Sequence, residues 1–441
     1  MSASPENAGN RQKGENGSAA SPHTRARAFW FGLLTSPWFV FAALVAVFFF
    51  PAITAGSGNF IAGHDIIHQD YWNRAYISSR VADGEWPLWC SHYYAGHPFS
   101  ANSIANLYYP PAALYLVAPL PLAFTGIVLL HIWLAGVGMF YLMRRLTASA
   151  AAGWGAGVAD AFSGYMIDRI DAGHPTFFQP AALLPWLILL LDRALVQKRM
   201  APWVGAGVFF GCLILGSVPQ NSFYIALVVI CYSGLWLGSF ARAEGWLAWR
   251  RAAGGLTVLF AFAFAVAAVQ ILPTLELARV SDRAEASFEF SSFFSYPAIA
   301  FARYLVPHME TEFVPNKWEF TGYVGVTTLI LAGLAFSSRE RRRQAVIFAV
   351  LSLLSVSVML GDASPLFYLY FKLIPGFDLF RIPSRATILL VFCLCALAGL
   401  GIKRLFEEEY VRANLKLASA LGGLALCAVA ALTLGLDERG L

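Results

Sequence analysis

The chain has 441 residues, of which 58% are hydrophobic and only 13% are charged, and its formal net charge is +5. Soluble domains carry roughly 25% charged residues, so this composition excludes an ordinary soluble globular protein. Many apolar runs approach or exceed the roughly 20 residues that a helix needs to cross a bilayer. The sequence therefore predicts an all-α polytopic membrane protein, in which the placement of charge matters more than its total.

The chain begins with a polar segment, residues 1–28, that is rich in Ser, Asn, Gly and Ala and predicts a disordered cytoplasmic tail. Residues 29–441 then form one multi-span transmembrane domain. Its first run, Phe29 to about Ile53, is too long for the apolar core of a cleaved signal and predicts a retained span. About eleven spans are predicted in all, the others at roughly 120–143, 149–167, 177–195, 202–218, 222–240, 253–275, 322–336, 345–360, 385–402 and 417–436.

Basic residues are concentrated in short loops between the predicted spans, for example Arg144-Arg145, Lys198-Arg199 and Arg341-Arg342-Arg343. The positive-inside rule places these loops and the N-terminus in the cytoplasm. Most acidic residues then lie outside, and three external segments are long enough to build a site with short interfacial helices. These loops span about 54–119, 276–321 and 361–384. The functional site is therefore expected to face outward.

The most polar stretch beyond the first span is Gly63-His64-Asp65-Ile66-Ile67-His68-Gln69-Asp70-Tyr71-Trp72. It contains two carboxylates, two imidazoles and an amide within seven positions. Either carboxylate, Asp65 or Asp70, could act as a general base toward an attacking hydroxyl group at the membrane surface. The alternative is that these loop acids only face water.

The two histidines of this stretch raise the question of a metal. In a helix, His64 and His68 would share one face, as would Asp65 and Gln69. The spacing His64-Asp65-x-x-His68 could bind a divalent metal, although the zinc-protease pattern has Glu where Asp65 stands. Two histidines hydrogen-bonded at an interface are the alternative, and the sequence indicates no other cofactor.

Three further polar side chains in predicted external turns suit a sugar ligand. Asn102 and Tyr109 lie among glycines and prolines and offer hydrogen bonds beside an apolar face. Tyr109 could equally belong to an aromatic belt at the membrane interface. His174, in the turn between the third and fourth predicted spans, could position a donor or an acceptor.

Arg381 and Arg385 stand four residues apart at the mouth of a span on the predicted outer side. Guanidinium groups bind phosphate through two parallel hydrogen bonds and remain charged, so the pair predicts a lipid-phosphate site. Snorkelling to ordinary lipid headgroups is the alternative. The sequence contains no phosphate-binding loop for ATP-driven transport and no nucleic-acid signature.

Taken in order, several short motifs resemble the bacterial YfhO family of membrane proteins, within the GT-C class of glycosyltransferases. Two positions depart from that pattern, since His64 stands where a small hydroxyl residue is expected and Asp70 where a Tyr is more usual. The matching motifs are Gly63-His64-Asp65 with Gln69, Glu85-Trp86-Pro87-Leu88-Trp89, Gly96-x-Pro98-Phe99-x-Ala101-Asn102, Tyr109-Pro110-Pro111, Ser163-Gly164, Gly173-His174-Pro175, Pro185-Trp186 with Asp192-Arg193, Tyr323-Val324-Gly325, and Pro375-Gly376-Phe377 followed by Phe380-Arg381-x-Pro383-x-Arg385.

The resemblance implies a GT-C-like fold and sugar transfer on the outer face of a bacterial cytoplasmic membrane. The donor would be a polyprenyl-phosphate sugar, and the acceptor an envelope glycan, teichoic acid or lipid. Asp65 would be the general base of an inverting reaction, while Arg381 and Arg385 would hold the donor phosphate. The other predicted substrate-binding residues are Asp70, His68, Gln69, Asn102, Tyr109 and His174. The rival function is a non-enzymatic carrier that binds a lipid phosphate.

Overall fold

The structure is a computed structural model that describes residues 34–56, 58–93, 95–241, 244–281, 287–307 and 317–407. These residues are predominantly helical, and they contain no strand beyond one isolated bridge between Cys90 and His97. The predicted all-α class is therefore confirmed. The predicted tail at 1–28 and the predicted last span at 417–436 lie outside the described residues.

The α-helices of the described residues are α1 (Pro37–Phe48), α2 (Phe50–Thr54), α3 (Tyr71–Ala82), α4 (Leu114–Val117), α5 (Leu120–Thr147), α6 (Ala150–Ala161), α7 (Gly164–Ala172), α8 (Pro175–Val196), α9 (Ala201–Leu215), α10 (Pro219–Phe240), α11 (Gly245–Arg279), α12 (Phe288–Ser292), α13 (Val326–Leu334), α14 (Arg342–Met359), α15 (Pro365–Leu373) and α16 (Thr387–Leu405).

The predicted external loops contain further short helices between these elements, as the sequence indicated. One is a π-helix, and the others are 3₁₀ turns. They are the π-helix Ile66–Asp70 and the 3₁₀ turns Phe99–Ala101, Ser103–Ala105, Pro110–Ala113, Ala298–Tyr304, Lys317–Phe320, Gly361–Ala363, Phe377–Leu379 and Pro383–Ala386, while Ala335–Ser337 continues α13.

Six helices of the described residues are long and apolar enough to cross a membrane: α5, α8, α10, α11, α14 and the segment Pro383–Leu405 that contains α16. Shorter apolar helices are α1, α9 and Val326–Ser337. These lengths and compositions fit a protein embedded in a membrane, because about 20 apolar residues in a helix match the hydrocarbon thickness.

The span predicted at 149–167 is instead two helices. Helix α6 ends at Ala161, and Ser163 then caps α7 by accepting a hydrogen bond from the backbone N–H of Met166 at 3.4 Å. A serine at this position satisfies an N–H that a helix start would otherwise leave unpaired. The sequence-based reading was wrong here because the apolar residues run on through the break.

Helix α16 lies at the centre of the bundle. In the most apolar 18-residue stretch of Pro383–Leu405, 83% of the residues are buried by protein, whereas the corresponding share for α11 is 28%. Helix α16 packs against α6, α13 and α14, while α11 packs mainly along α9. A helix that is apolar all round and surrounded by others belongs to the core, and the turn Pro383–Ala386 that starts α16 is itself largely buried.

The two ends of the bundle differ in character. At one end Arg145 of α5 bonds Asp192 of α8, and Arg341, just before α14, donates to the carbonyl oxygen of Leu146 at 2.7 Å. This basic end gathers the last turns of α5 and α8 and the start of α14. The first turns of α8 and α10 and the start of α16 are therefore at the opposite end, where the candidate site lies.

Candidate functional site

The site is assembled on a direct backbone contact between two glycines. A Cβ atom on Gly63 would lie 2.1 Å from the backbone nitrogen of Gly173, and one on Gly173 would lie 2.6 Å from the nitrogen of Ile66. Gly173 also ends α7 with φ +79°, a left-handed conformation that costs glycine nothing. The residues that follow the two glycines are thereby held beside each other.

Asp65 is bonded by two histidines. The Nε2 atom of His174 lies 2.9 Å from Oδ2 of Asp65, and Nδ1 of His64 lies 3.0 Å from Oδ1. The Asp65 side chain is still 43% exposed, so a ligand can reach it. The hydrogen bond from His174 is the main cause of a lowered pKa for Asp65; partial burial opposes it, and the bond from His64 adds to it.

The second ring nitrogen of His174 fixes its tautomer. Nη1 of Arg169 lies 3.2 Å from Nδ1 of His174. Because a guanidinium group only donates hydrogen bonds, Nδ1 must be the acceptor and Nε2 must carry the proton. His174 therefore donates to Asp65 and accepts from Arg169, and it holds the Asp65 carboxylate in one orientation.

Beyond His174 the network continues into the protein interior. Nη2 of Arg169 donates to Oε2 of Glu319 at 2.9 Å, and Nη2 of Arg385 donates to Oε1 of the same carboxylate at 3.0 Å. Arg169 is 1% and Glu319 3% exposed. Burial alone would raise the pKa of Glu319, but the two guanidinium groups outweigh it and hold that pKa well below its usual range. A continuous chain of contacts therefore joins Asp65 to Arg385.

An aromatic ring lies against both arginines of this network. The guanidinium carbons of Arg169 and Arg385 lie 4.7 and 4.8 Å from the ring centroid of Phe177. Phe177 stands in the first turn of α8, three residues after His174. Cation–π contacts of this kind stabilise a guanidinium group that is removed from water. The Phe177 ring and the Glu319 carboxylate therefore stabilise the two arginines together.

Glu319 reaches Arg169 because its segment is tied to α7 on either side. The backbone N–H of Gly164 donates to the carbonyl oxygen of Tyr323 at 2.7 Å, and a Cβ on Gly164 would lie 2.7 Å from the Tyr323 side chain. Trp318 also donates from Nε1 to Oδ2 of Asp171 at 2.9 Å. These contacts explain Ser163-Gly164 and Tyr323-Val324-Gly325 as paired structural motifs.

The turn that carries Arg385 is strained. Ile382 has φ +63°, which is unusual for a β-branched residue. Its N–H donates to the carbonyl oxygen of Phe293 at 3.0 Å, and its own carbonyl oxygen accepts from Nε2 of Gln220 at 3.1 Å. Gln220 also accepts from Nη1 of Arg385 at 3.3 Å. Strain maintained by surrounding bonds is common at functional sites, and here it fixes where Arg385 points.

The same turn separates the two predicted phosphate-binding arginines. Arg381 precedes the strained Ile382 and Arg385 follows it, so the two arginines do not share one helical turn. Arg381 is exposed, and among the described residues it makes cation–π contacts with Phe290 and Phe293 but no hydrogen bond or ion pair. Arg385, by contrast, is engaged by Glu319. Arg385 therefore has an anionic partner, whereas Arg381 has none among the described residues.

Other predicted site residues divide into those near Asp65 and those away from it. The ring centroid of His68 lies 4.6 Å from that of His64, as their spacing predicted, and Gln69 is exposed on the same short π-helix. Asp70 is buried and points to Arg74, with 3.6 Å between Oδ1 and Nη2. Burial raises the pKa of Asp70, and Arg74 opposes that effect.

Asn102 and Tyr109 are occupied by contacts within the protein. Oδ1 of Asn102 accepts from the backbone N–H of Ile104 at 3.1 Å, which caps a 3₁₀ turn. Tyr109 is buried, and its hydroxyl group lies 2.7 Å from Nε2 of His131. The structure therefore brings neither side chain to the Asp65 network, and both bonds are of the kind that stabilise a fold.

The residues predicted to hold a metal are His64, Asp65 and His68. Both carboxylate oxygens of Asp65 are bonded by imidazoles, and within the described ranges no three His, Cys, Asp or Glu side chains form a group that could hold a metal ion. A divalent metal at His64, Asp65 and His68 stays a prediction.

Comparison with known proteins adds no assignment. No family model matches the sequence, and no curated protein matches it.

Proposed function

We propose that this chain is a membrane glycosyltransferase that moves a sugar from a polyprenyl-phosphate donor to a cell-envelope acceptor. The observation that supports the proposal is the network from Asp65 through His174, Arg169 and Glu319 to Arg385. It couples an accessible, ionised carboxylate to the arginine-bearing segment 381–385. A base and an anion-binding group held in one rigid frame are what transfer from a phosphosugar requires.

In the proposed step, the hydroxyl oxygen of the acceptor attacks the anomeric carbon of the donor sugar. The bond from that carbon to the phosphate oxygen breaks, its electron pair leaves with the phosphate, and Asp65 takes the hydroxyl proton. Attack from the opposite face inverts the anomeric configuration. The transition state of glycosyl transfer has oxocarbenium-ion character. The acceptor hydroxyl group therefore becomes acidic only late in the transfer step. At that point even a carboxylate of low pKa can accept its proton.

The two arginines take different parts in this proposal. Arg381, which is exposed and has no anionic partner among the described residues, would bind the donor phosphate and stabilise its charge as it leaves. Arg385 is held by Glu319 and would position the strained turn before α16. His68 and Gln69, exposed beside Asp65, would contact the sugar or the acceptor.

The location and architecture belong to the same proposal. The Asp65 network lies at the end of the bundle opposite Arg145 and Arg341, and basic residues mark the cytoplasmic side. This favours a site that faces outward from a bacterial cytoplasmic membrane, with a GT-C-like arrangement of about eleven spans. The acceptor would then be an envelope glycan, teichoic acid or lipid, as the resemblance to the YfhO family implies.

The test is transfer by the full chain in nanodiscs from a set of defined polyprenyl-phosphate sugars. Asp65→Asn should lower turnover by at least about 100-fold, since general-base catalysis contributes that much or more, and should leave donor binding intact. Asp83→Asn, an exposed acid at the end of α3, is the matched control and should remain active. Full turnover by Asp65→Asn would overturn the base assignment, and donor binding without transfer by the unaltered chain would favour a carrier.

A further inference from the structure

Two cavities lie side by side at the basic end of the bundle, opposite the Asp65 network. The first, of about 310 Å³, lies between the ends of α8 and α10 and the starts of α9 and α11. The second, of about 320 Å³, lies between the ends of α5, α8 and α10 and the start of α14. Val196, Trp236 and Phe240 line both cavities, which therefore share one wall. Each volume falls within the usual range for ligand pockets.

Positive charge predominates in the linings of both cavities. Among the described residues, five basic side chains line the two cavities, against two acidic ones. The basic residues are Lys198, Arg199 and Arg251 in the first cavity and Arg145 and Arg341 in the second, and the acidic residues are Glu244 in the first and Asp192 in the second. A ligand that fills both cavities therefore meets an excess of three positive charges, which favours an anion.

In the first cavity a single carboxylate is shared by two cations. Oε2 of Glu244 lies 2.8 Å from Nη1 of Arg251 and 3.3 Å from Nζ of Lys198. All three side chains are well exposed, so they can rearrange around a ligand without breaking a buried bond. Arg199 is also exposed, and it makes no ion pair or side-chain hydrogen bond within the described part of the chain. Glu244 therefore neutralises only part of this cavity.

In the second cavity much of the Arg145 guanidinium group remains available. Its Nε donates to Oδ2 of Asp192, whose Oδ1 accepts from the Tyr232 hydroxyl group at 3.4 Å. Nη1 and Nη2 of Arg145 make no hydrogen bond to a described residue, and the side chain is 32% exposed. Arg341 reaches the same cavity while one of its nitrogens pairs with the exposed Glu340. Guanidinium nitrogens arranged in this way bind phosphate oxygens well.

The surroundings of the first cavity favour a lipid over a soluble anion. Trp246 and Trp249, in the first two turns of α11, are 75% and 45% exposed, while Ala248 and Arg251 of the same turns line the cavity. Exposed tryptophans beside basic residues are typical of the level at which lipid headgroups lie. The inner wall of the cavity is apolar and includes Trp203, which gives an acyl chain a surface to pack against.

We propose that the two cavities together bind one lipid with two phosphate groups, of the cardiolipin class. Each phosphate is held by the basic residues of one cavity, and the link between the phosphates crosses the shared wall at Trp236 and Phe240. Basic pockets between transmembrane helices are known to bind headgroups of this class. This inference goes beyond the proposed glycosyl transfer, because the cavities lie at the opposite end from Asp65 and binding there requires no reaction.

The experiment is native mass spectrometry of the full chain in an uncharged detergent. It compares cardiolipin with phosphatidylglycerol of identical acyl chains, at equal phosphate concentration. We expect cardiolipin to bind at least about 10-fold more tightly, because its second phosphate binds intramolecularly. Equal binding per phosphate would indicate a general attraction of headgroups to a basic surface, and displacement of cardiolipin by inorganic pyrophosphate would assign the cavities to a soluble anion. Either result would overturn the proposal, whether or not the chain transfers a sugar.

One substitution in each cavity locates the lipid. Arg199→Gln removes a charge from the first lining and should weaken cardiolipin binding at least about fivefold. Arg193→Gln removes the same charge at the same end of the bundle, but Arg193 is exposed and lines neither cavity, so binding should be unchanged. Gln344→Glu adds a negative charge to the second lining and should weaken binding to a similar extent. Equal effects of Arg199→Gln and Arg193→Gln, or no effect of Gln344→Glu, would refute the assignment to both cavities.

Discussion

His174 donates a hydrogen bond to Asp65 at 2.9 Å, although 109 residues separate the two in the chain. The bond exists because the backbones of Gly63, two residues before Asp65, and Gly173, directly before His174, are in contact. Since Arg169 holds the other ring nitrogen of His174, the imidazole cannot turn away without leaving a buried guanidinium atom unpaired. The orientation of the exposed carboxylate is therefore determined by buried charges behind it.

This bond predicts how activity responds to pH. The folded-state pKa of Asp65 is lowered, so the carboxylate stays ionised as pH falls through its usual value of 3.8. Transfer by the unaltered chain should therefore show no loss from Asp65 protonation between about pH 5 and 8. His174→Phe removes the main cause of the lowered pKa and should move the acidic limb of the rate profile to higher pH. His64→Phe should move it less, because His64 contributes less. A larger shift in His64→Phe would contradict this ranking.

Glu319 should be essential for stability rather than for contact with substrate. Glu319→Gln leaves the buried charge of Arg169 and the partly buried charge of Arg385 without this counter-ion, so we expect a loss of about 3–5 kcal/mol in the free energy of unfolding. Glu340→Gln, which changes an exposed carboxylate paired with Arg341, should cost at most about 1 kcal/mol. Thermal unfolding in detergent measures both. Equal melting temperatures for the two variants would contradict a structural role for Glu319.

The lowered pKa of Glu319 gives the same prediction a pH dependence. Its ionised form is favoured in the folded state, so its contribution to stability is complete above the usual pKa of 4.5 and declines as pH falls below that value. The unaltered chain should therefore lose stability below about pH 4.5, and Glu319→Gln should show less of this loss.

Part of the site could be predicted from local sequence. Asp65 and His174 stand in glycine-containing polar motifs next to apolar segments, where a buried or interfacial charge must be paired or functional. The sequence could not show that Arg169 pairs with Glu319, because those residues lie 150 positions apart. Proximity in the sequence alone would suggest the adjacent Asp168 as the partner of Arg169. Only the tertiary contact of Gly164 with Tyr323 determines which loop is used.

Tyr109 and Arg385 show a second limit of sequence reasoning. Both residue types suit ligand binding, but packing decides whether a side chain faces a ligand or another residue. Tyr109 is covered by Gly216, where a Cβ would lie 2.7 Å from the tyrosine ring, and bonds His131. Arg385 forms an ion pair with Glu319. The turn that positions Arg385 contains Ile382 in a conformation that is disfavoured for a β-branched residue. Neither outcome has a local sequence signal.

The glycine contact predicts a loss of activity from a very small substitution. Gly63→Ala places a methyl group 2.1 Å from backbone nitrogen, which cannot move aside as a side chain could. The two segments must separate, so the Asp65–His174 bond should lengthen and transfer should fall at least about 100-fold. Gly205→Ala, within α9, has nothing within 4 Å of its added Cβ and should gain up to about 1 kcal/mol in stability. Transfer assays and thermal unfolding on both variants check this, and an active Gly63→Ala would show that the contact does not position Asp65.

Arg381 and Arg385 should differ when each is replaced by alanine. Arg381→Ala removes an exposed group that has no ion pair in the described part of the chain, so the free energy of unfolding should change by no more than about 0.5 kcal/mol. Donor binding should weaken by about 10- to 100-fold, the range expected for lost hydrogen bonds to a charged group. Arg385→Ala leaves Glu319 with one buried partner and should lower the melting temperature markedly. Donor affinity from titration in nanodiscs, beside thermal unfolding, separates the two effects. If Arg381→Ala bound donor normally while a folded Arg385→Ala did not, the phosphate would belong to Arg385, and the roles proposed for the two arginines would be reversed.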